Sequence, residues 1–359
     1  MKKIKAILNN FFMEIYGALW CIDRATLGIL LLLVSISSFE LISSLHITEI
    51  RISKNIFLFK KHMTFIGIFF LGIFVLSNFS VENNIMFCGL VGMGAIFLCV
   101  LTLIIGVSIN GSKRWINLIF ISLQPSVFLK NTLGVFFPFL FKKVKYNILF
   151  ISFCCLIVLF QPDFGMCLLL FAIAMTELFL MYDKELLEYA YLLLIALGAF
   201  GVFIFFKGNY FITRISRFFS PEGLYQSNIA LYNIKNTSLF GRDNVPTIPD
   251  APTDFIFASI ISHYGIFTGI VIVILFVLFF IRNIQHASGF SDKKRVMIYG
   301  ILVQIAYQSI FHFASNLNFI PPKGVSCPFL SFGGSELLAS IFSIGTLLSA
   351  TKRKIDINK

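Results

Sequence analysis

Residues 266–281, "IFTGIVIVILFVLFFI", contain no charged side chain. Runs of this kind recur along the chain, and they constrain its fold more than any other feature. A helix crosses a bilayer with about 20 apolar residues. Only helices and closed barrels can do so with every backbone group satisfied. Of the 359 residues, 58% are hydrophobic and 13% charged, with a mean hydropathy of +0.89. That apolar content suffices for roughly ten spans. Barrel strands would show alternation in segments of about ten residues, and none is seen. The expected fold is all-α: a polytopic membrane protein of about ten transmembrane helices.

Spans are placed near 26–46, 64–80, 85–109, 126–141, 147–162, 164–182, 187–206, 255–281, 296–316 and 335–351. The remainder divides into an amino-terminal segment (1–25), a tail (352–359) and one long connection, 207–253, between the seventh and eighth spans. A loop of that length in a compact protein is usually functional or disordered. An even number of spans puts both termini on one side. The start "MKKIK", the loops "FKKVKYN" and "SDKKR" and the tail "TKRKIDINK" are all basic, which assigns them to the cytoplasm. The long loop is then extracytoplasmic. The amino terminus has no small-residue cleavage site after a short apolar region, so it reads as an uncleaved anchor. The seven cysteines lie mostly inside apolar runs without metal-type spacing, as buried small hydrophobes do.

The outward face is also basic, with Arg114, Lys130, Arg214, Arg217 and Lys323 among its cations, which suits an anionic ligand. Four outward stretches stand out. In "NGSKRWINLIFISLQPSVFLK" (110–130), Arg114 and Trp115 form an interfacial pair of the kind that usually anchors. Lys130 falls inside a span, where a charge normally has a partner or a pathway. "QPDFG" (161–165) puts Asp163 at a membrane boundary. In "RISRFFSPEGLYQSNIALYN" (214–233), Arg214 and Arg217 would lie one turn apart on a helix and could share one phosphate. Such a pair is more often a solvated face. "PPKGVSCPFLSFGGSELL" (321–338) breaks helix between the last two spans, and backbone of that kind must line a cavity or be buried in protein. Asp254, in "PTIPDAPTDFIFASIISHYG" (246–265), has two readings. Thr253 or Asp254 could cap the eighth span, or Asp254 could be a carboxylate poised to take a proton.

Together these stretches resemble the SEDS family (shape, elongation, division and sporulation), over about residues 26–351. "KRWINL…QPSVFLK" resembles its Arg-Trp-Ile stretch with Gln-Pro-Ser-Glu and a lysine, and "QPDFGM" its Gln-Pro-Asp-Leu-Gly-Thr. "PDAPTDFIFA" is similar to Pro-Glu-x-His-Thr-Asp-Phe-Ile-Phe-Ala, and "PFLSFGGS" to Pro-Leu-Ile-Ser-Tyr-Gly-Gly-Ser. "PPKGVSCP" is nearer the FtsW branch than the RodA branch. The resemblance implies a peptidoglycan glycosyltransferase that polymerises lipid II during cell division. It implies Asp254 as the catalytic base and substrate binding by Arg114, Lys130, Arg214, Arg217, Lys323 and Ser335. It also implies residence in the bacterial cytoplasmic (inner) membrane, a class B penicillin-binding transpeptidase and other division proteins as partners, and no nucleic acid. No cofactor is called for, with a divalent cation left open. The chain departs from the pattern in places. The Glu after Gln-Pro-Ser is Val127, removing any ion pair from that position to Lys130. The His before the aspartate is Pro252. The acidic pair of Gly-Glu-Glu-Leu-Gly falls on Ser262 and His263, and its first glycine on Ile261. These losses leave a catalytically silent scaffold of the division complex, or a lipid II flippase, as alternative readings.

Overall fold

The structure is a computed structural model that describes residues 22–47, 52–109, 112–117, 122–182, 216, 225–242, 245–321 and 324–352. Its long helices are α1 (Arg24–Ile47), α2 (Ile52–Asn78) and α3 (Val81–Ile105), then α4 (Pro125–Phe136), α5 (Val144–Phe160) and α6 (Phe164–Met181). After the short α7 (Tyr225–Lys235) come α8 (Ile256–Ala287), α9 (Asp292–Asn316) and α10 (Gly334–Ala350). Among the described residues, six helices are long and apolar enough to cross a membrane: α1, α2, α3, α6, α8 and α9. α5 and α10 are apolar but shorter. α4 runs for 12 residues and passes into a 3-10 turn, Phe137–Phe139, where Pro138 ends the helical ladder. The expected seventh span, 187–206, lies outside the described residues, as does most of the loop that follows it.

The sequence reading expected helices and loops alone, yet one small sheet is present. Strands β1 (Val107–Ile109), β2 (Ser112–Asn117) and β3 (Ser122–Leu123) pair antiparallel in the order β1-β2-β3. Val107 faces Trp115, and Ile116 faces Leu123. The sequence between the first two strands, Asn110-Gly111, has the composition of a tight hairpin turn. A two-residue cue of this kind is hidden beside the long apolar run that precedes it.

Chain direction assigns each helix end to one of two ends of the body. The sheet, the 161–163 turn, Asp254 and the starts of α4, α6, α8 and α10 share one end, called here the site end. The opposite end holds the start of α1, the end of α8 and the starts of α3 and α9. Ion pairs follow this division: Asp23 takes both the Nε and the Nη2 of Arg282 at 3.1 and 2.7 Å, and Lys294 meets Glu82 at 2.9 Å.

Helix starts are set by local chemistry. Ser80 accepts the Asn83 N–H at 3.2 Å to begin α3, and Asp163 accepts the Met166 N–H at 3.2 Å to begin α6. α8 is broken at Gly265, whose φ of 89° suits glycine. There the backbone of residues 238–241 docks onto the helix, with the Ile266 and Phe267 N–H groups donating to the Ser238 and Leu239 carbonyls. A side chain at Gly265 would collide with the Leu239 carbonyl. Large apolar side chains such as Leu90, Phe97 and Ile274 remain exposed around the body, as lipid contact requires. The interior includes a polar seam, in which Gln304 of α9 donates to Asn131 of α4 at 2.6 Å and Ser343 of α10 to the same oxygen at 3.0 Å. The six described cysteines are free and buried.

Candidate active site

At the site end, the starts of three helices, α4, α6 and α10, and the sheet line a solvent-open cavity. β2 supplies Arg114 and Trp115, and α4 with its lead-in supplies Gln124, Val127 and Lys130. Asp163 comes from the turn before α6, Tyr307 and Gln308 from α9, residues 324–326 from the loop after it, and Glu336 from α10. The sheet thus carries an interfacial Arg-Trp pair into a polar cavity.

Two ion pairs organise the walls. Arg114 Nη1 lies 2.8 Å from Asp163 Oδ2, and Gln124 Nε2 donates to the same oxygen at 3.3 Å. Lys130 Nζ lies 2.8 Å from both oxygens of Glu336. The valine at 127 offers Lys130 no partner, and the carboxylate comes instead from another helix, α10. Glu336 is fixed in turn by Gln308 Nε2 at 3.5 Å and Ser326 Oγ at 3.4 Å. The lining charges Arg114 and Lys130 against Asp163 and Glu336 sum to zero. Two buried polar atoms of the lining have no protein partner, the Arg114 Nε–H donor and the Gln308 Oε1 acceptor. Buried groups of this kind are normally satisfied, so both are exceptions in the wall of the cavity.

Asp254 stands beside this cavity, next to Gly324 of its lining. A Cβ added at Gly324, where φ is 64°, would lie 3.1 Å from Asp254 Oδ2. The aspartate is placed by its backbone. Three successive carbonyls accept hydrogen bonds from outside the segment: Pro252 O from the Phe332 N–H at 2.8 Å, Thr253 O from Ser331 Oγ at 2.7 Å, and Asp254 O from Asn316 Nδ2 at 3.0 Å. The expected cap role is corrected here. α8 begins at Ile256 with Phe255 at its cap position, and the Ala258 N–H is taken by Asn316 Oδ1 at 3.0 Å. Thr253 Oγ1 donates instead to the Asp250 carbonyl at 3.2 Å. With Asn316 filling the capping role, Asp254 is not needed as the cap.

Of the other expected binders, Ser335 is adjacent, and its hydroxyl donates to the Ser122 carbonyl at 3.0 Å, tying α10 to the sheet. Arg214, Arg217 and Lys323 lie outside the described residues. Where the sequence pattern has lost its acidic pair, His263 Nδ1 meets Glu40 of α1 at 2.9 Å, and Ser259 Oγ donates to the same carboxylate. Sequence reasoning missed Glu336, Gln308 and Glu40. Glu336 and Glu40 carried the signal that singled out Lys130, an ionisable residue inside or at the end of an apolar run. Among the described residues, no three His, Cys, Asp or Glu side chains are grouped to hold a metal ion.

The family model of the FtsW, RodA and SpoVE cell cycle proteins matches residues 23–355. The chain belongs to that family. Among FtsW/RodA/SpoVE relatives, it is 28% identical to the probable peptidoglycan glycosyltransferase FtsW of Caulobacter vibrioides, over 93% of this chain and 90% of the relative. It is 29% identical to the stage V sporulation protein E of Bacillus subtilis, over 85% of this chain and 89% of that one. The fold is that of the family's solved structures. A chain from a structure of a peptidoglycan synthase complex superposes with a TM-score of 0.73 at 18% identity, covering 92% of this chain and 97% of that one. The rod shape determining protein RodA of Thermus thermophilus gives a TM-score of 0.67 at 18% identity, over 92% and 96%. The FtsW/RodA/SpoVE match takes in every helix from α1 to α10, so the cavity lies wholly within the family's own region.

Proposed function

We propose that this FtsW/RodA/SpoVE-family chain is a multi-pass inner-membrane peptidoglycan glycosyltransferase that polymerises lipid II during cell division. The observation that carries the mechanism is the Asp254 carboxylate held by its main chain beside a cavity lined by Arg114 and Lys130. The acceptor sugar's hydroxyl gives its proton to Asp254 as its oxygen attacks the anomeric carbon of the donor. The anomeric C–O bond to pyrophosphate breaks, and the electron pair leaves with the lipid pyrophosphate. Cations placed in advance lower the energy of that developing charge. Arg114 and Lys130 contribute from the wall, each already tied to a carboxylate, and Ser335 supports the wall through the sheet. Arg214, Arg217 and Lys323 act from the loops as further phosphate ligands. In this reading the chain has ten spans, with a large extracytoplasmic loop between the seventh and eighth and both termini cytoplasmic. Its partners are a class B penicillin-binding transpeptidase and other division proteins.

The test is glycan-strand formation from lipid II by the purified chain in proteoliposomes with a class B transpeptidase present. Asp254→Ala is expected to lower the rate by about 10²-fold or more while the protein remains folded. An unchanged rate would remove Asp254 from the chemistry. Absence of polymer from the wild type would favour a silent scaffold.

A further inference from the structure

The third residues of two helices that begin at the cavity stand on either side of Lys130. In α4 the third residue is Val127, buried and lining the cavity, one turn before Lys130. In α10 the third residue is Glu336. The two positions are equivalent electrostatically, because the third residue of a helix lies among unpaired N–H groups that favour a negative charge. Only α10 uses this: the first turn of α4 contains no acidic residue. The Lys130 side chain is 1% exposed and its ammonium meets both Glu336 oxygens, so water offers it no alternative partner.

We infer that Glu336 is a positioning residue, the counter-ion that fixes the Lys130 ammonium at the cavity wall, and that a carboxylate at position 127 can do the same work. A glutamate at 127 would neighbour Lys130 at i,i+3 on the surface of α4. From α10, the carboxylate is also held by Gln308 and Ser326. It therefore ties the lysine of α4 to α9 and to the loop after it, which a residue on α4 alone would not. The effect on rate rests on the polymerase reading, whereas the effect on stability rests on the contacts of Glu336.

The experiment moves the carboxylate. Glu336→Ser is expected to lower kcat for lipid II polymerisation at least tenfold, with KM within twofold, and to lower the thermal midpoint. Adding Val127→Glu to it should bring kcat back to within threefold of wild type and raise the midpoint. In a Lys130→Met background, Val127→Glu should restore nothing. If Val127→Glu/Glu336→Ser is no better than Glu336→Ser in either measurement, the inference is overturned. It is also overturned if Lys130→Met/Glu336→Met polymerises at the wild-type rate, since the pair would then be scaffolding. Should the wild type make no polymer, the polymerase reading fails, and the midpoints decide the inference. Restoration that depends on Lys130 upholds the counter-ion role, and its absence overturns that role.

Discussion

At the site end, Lys130 and Glu336 face each other with side chains 1% and 8% exposed. At the opposite end, Arg282 reaches Asp23 with a third of its own side chain in contact with the surroundings, and Lys294 meets a Glu82 that is 67% exposed. Removing a charge from water carries a penalty of several kcal/mol per ion, recovered only when geometry and additional hydrogen bonds are complete. The opposite end ties helices together with pairs that keep a share of their hydration. At the site end the Lys130–Glu336 pair accepts the full penalty and is surrounded by Gln308 and Ser326, while Arg114 stays 26% exposed beside Asp163 and Gln124. An apolar packing would join α4 to α10 without that penalty.

Three perturbations test this contrast. The largest effect is expected from Asp163→Ala, which strands the part-buried Arg114 guanidinium and removes both the acceptor for Gln124 and the cap of α6. A loss of about 3 kcal/mol in stability is expected, measured by thermal unfolding in detergent. A loss well below 1 kcal/mol would show that the site end is no more demanding than the other.

Asp23→Asn comes next. Burial alone would raise the Asp23 pKa, but the hydrogen bonds from Arg282 and Thr26 and the guanidinium charge outweigh it and lower it to about 2. A carboxyl whose folded-state pKa is depressed contributes stability above its unfolded value, and that contribution is lost as pH falls through the folded value. The shift from 3.8 to about 2 corresponds to about 2 kcal/mol. Wild type should therefore exceed Asp23→Asn by up to that amount at neutral pH. The difference should shrink between about pH 4 and pH 2. A constant difference across that window would refute the ionic origin. The smallest effect belongs to Lys294→Ala, where no change in the thermal midpoint is expected, because exposed pairs are screened by solvent. A clear drop there would erase the contrast between the two ends.

The spans were legible because their signal is local. Charge-free runs end at charges, and the eighth and ninth expected spans, 255–281 and 296–316, overlap Ile256–Ala287 and Asp292–Asn316 almost throughout. The candidate site was legible in part. Arg114, Lys130 and Asp163 stood out one by one and converge on one cavity. Their pairing was not legible, since Lys130 and Glu336 are 206 positions apart and nothing local to either names the other. The cap of α8 shows the same limit. Thr253 and Asp254 satisfied every local rule for a helix start, and a buried asparagine from α9 fills the position instead. Local chemistry states what a helix end requires, and tertiary packing decides which residue provides it.

The three carbonyls that suspend residues 252–254 bear on how this sequence can diverge over time. A main-chain oxygen is present whatever side chain its residue carries, so the attachment survives replacement at 252 and 253. Proline at 252 brings no N–H, and none is asked of it. The partners behave differently. Phe332 also contributes only its backbone, whereas Ser331 and Asn316 act through side chains and have no such freedom. Mutational drift should therefore accumulate beside the aspartate while its position is inherited intact, and tolerance should fall away at the two residues that hold it from a distance.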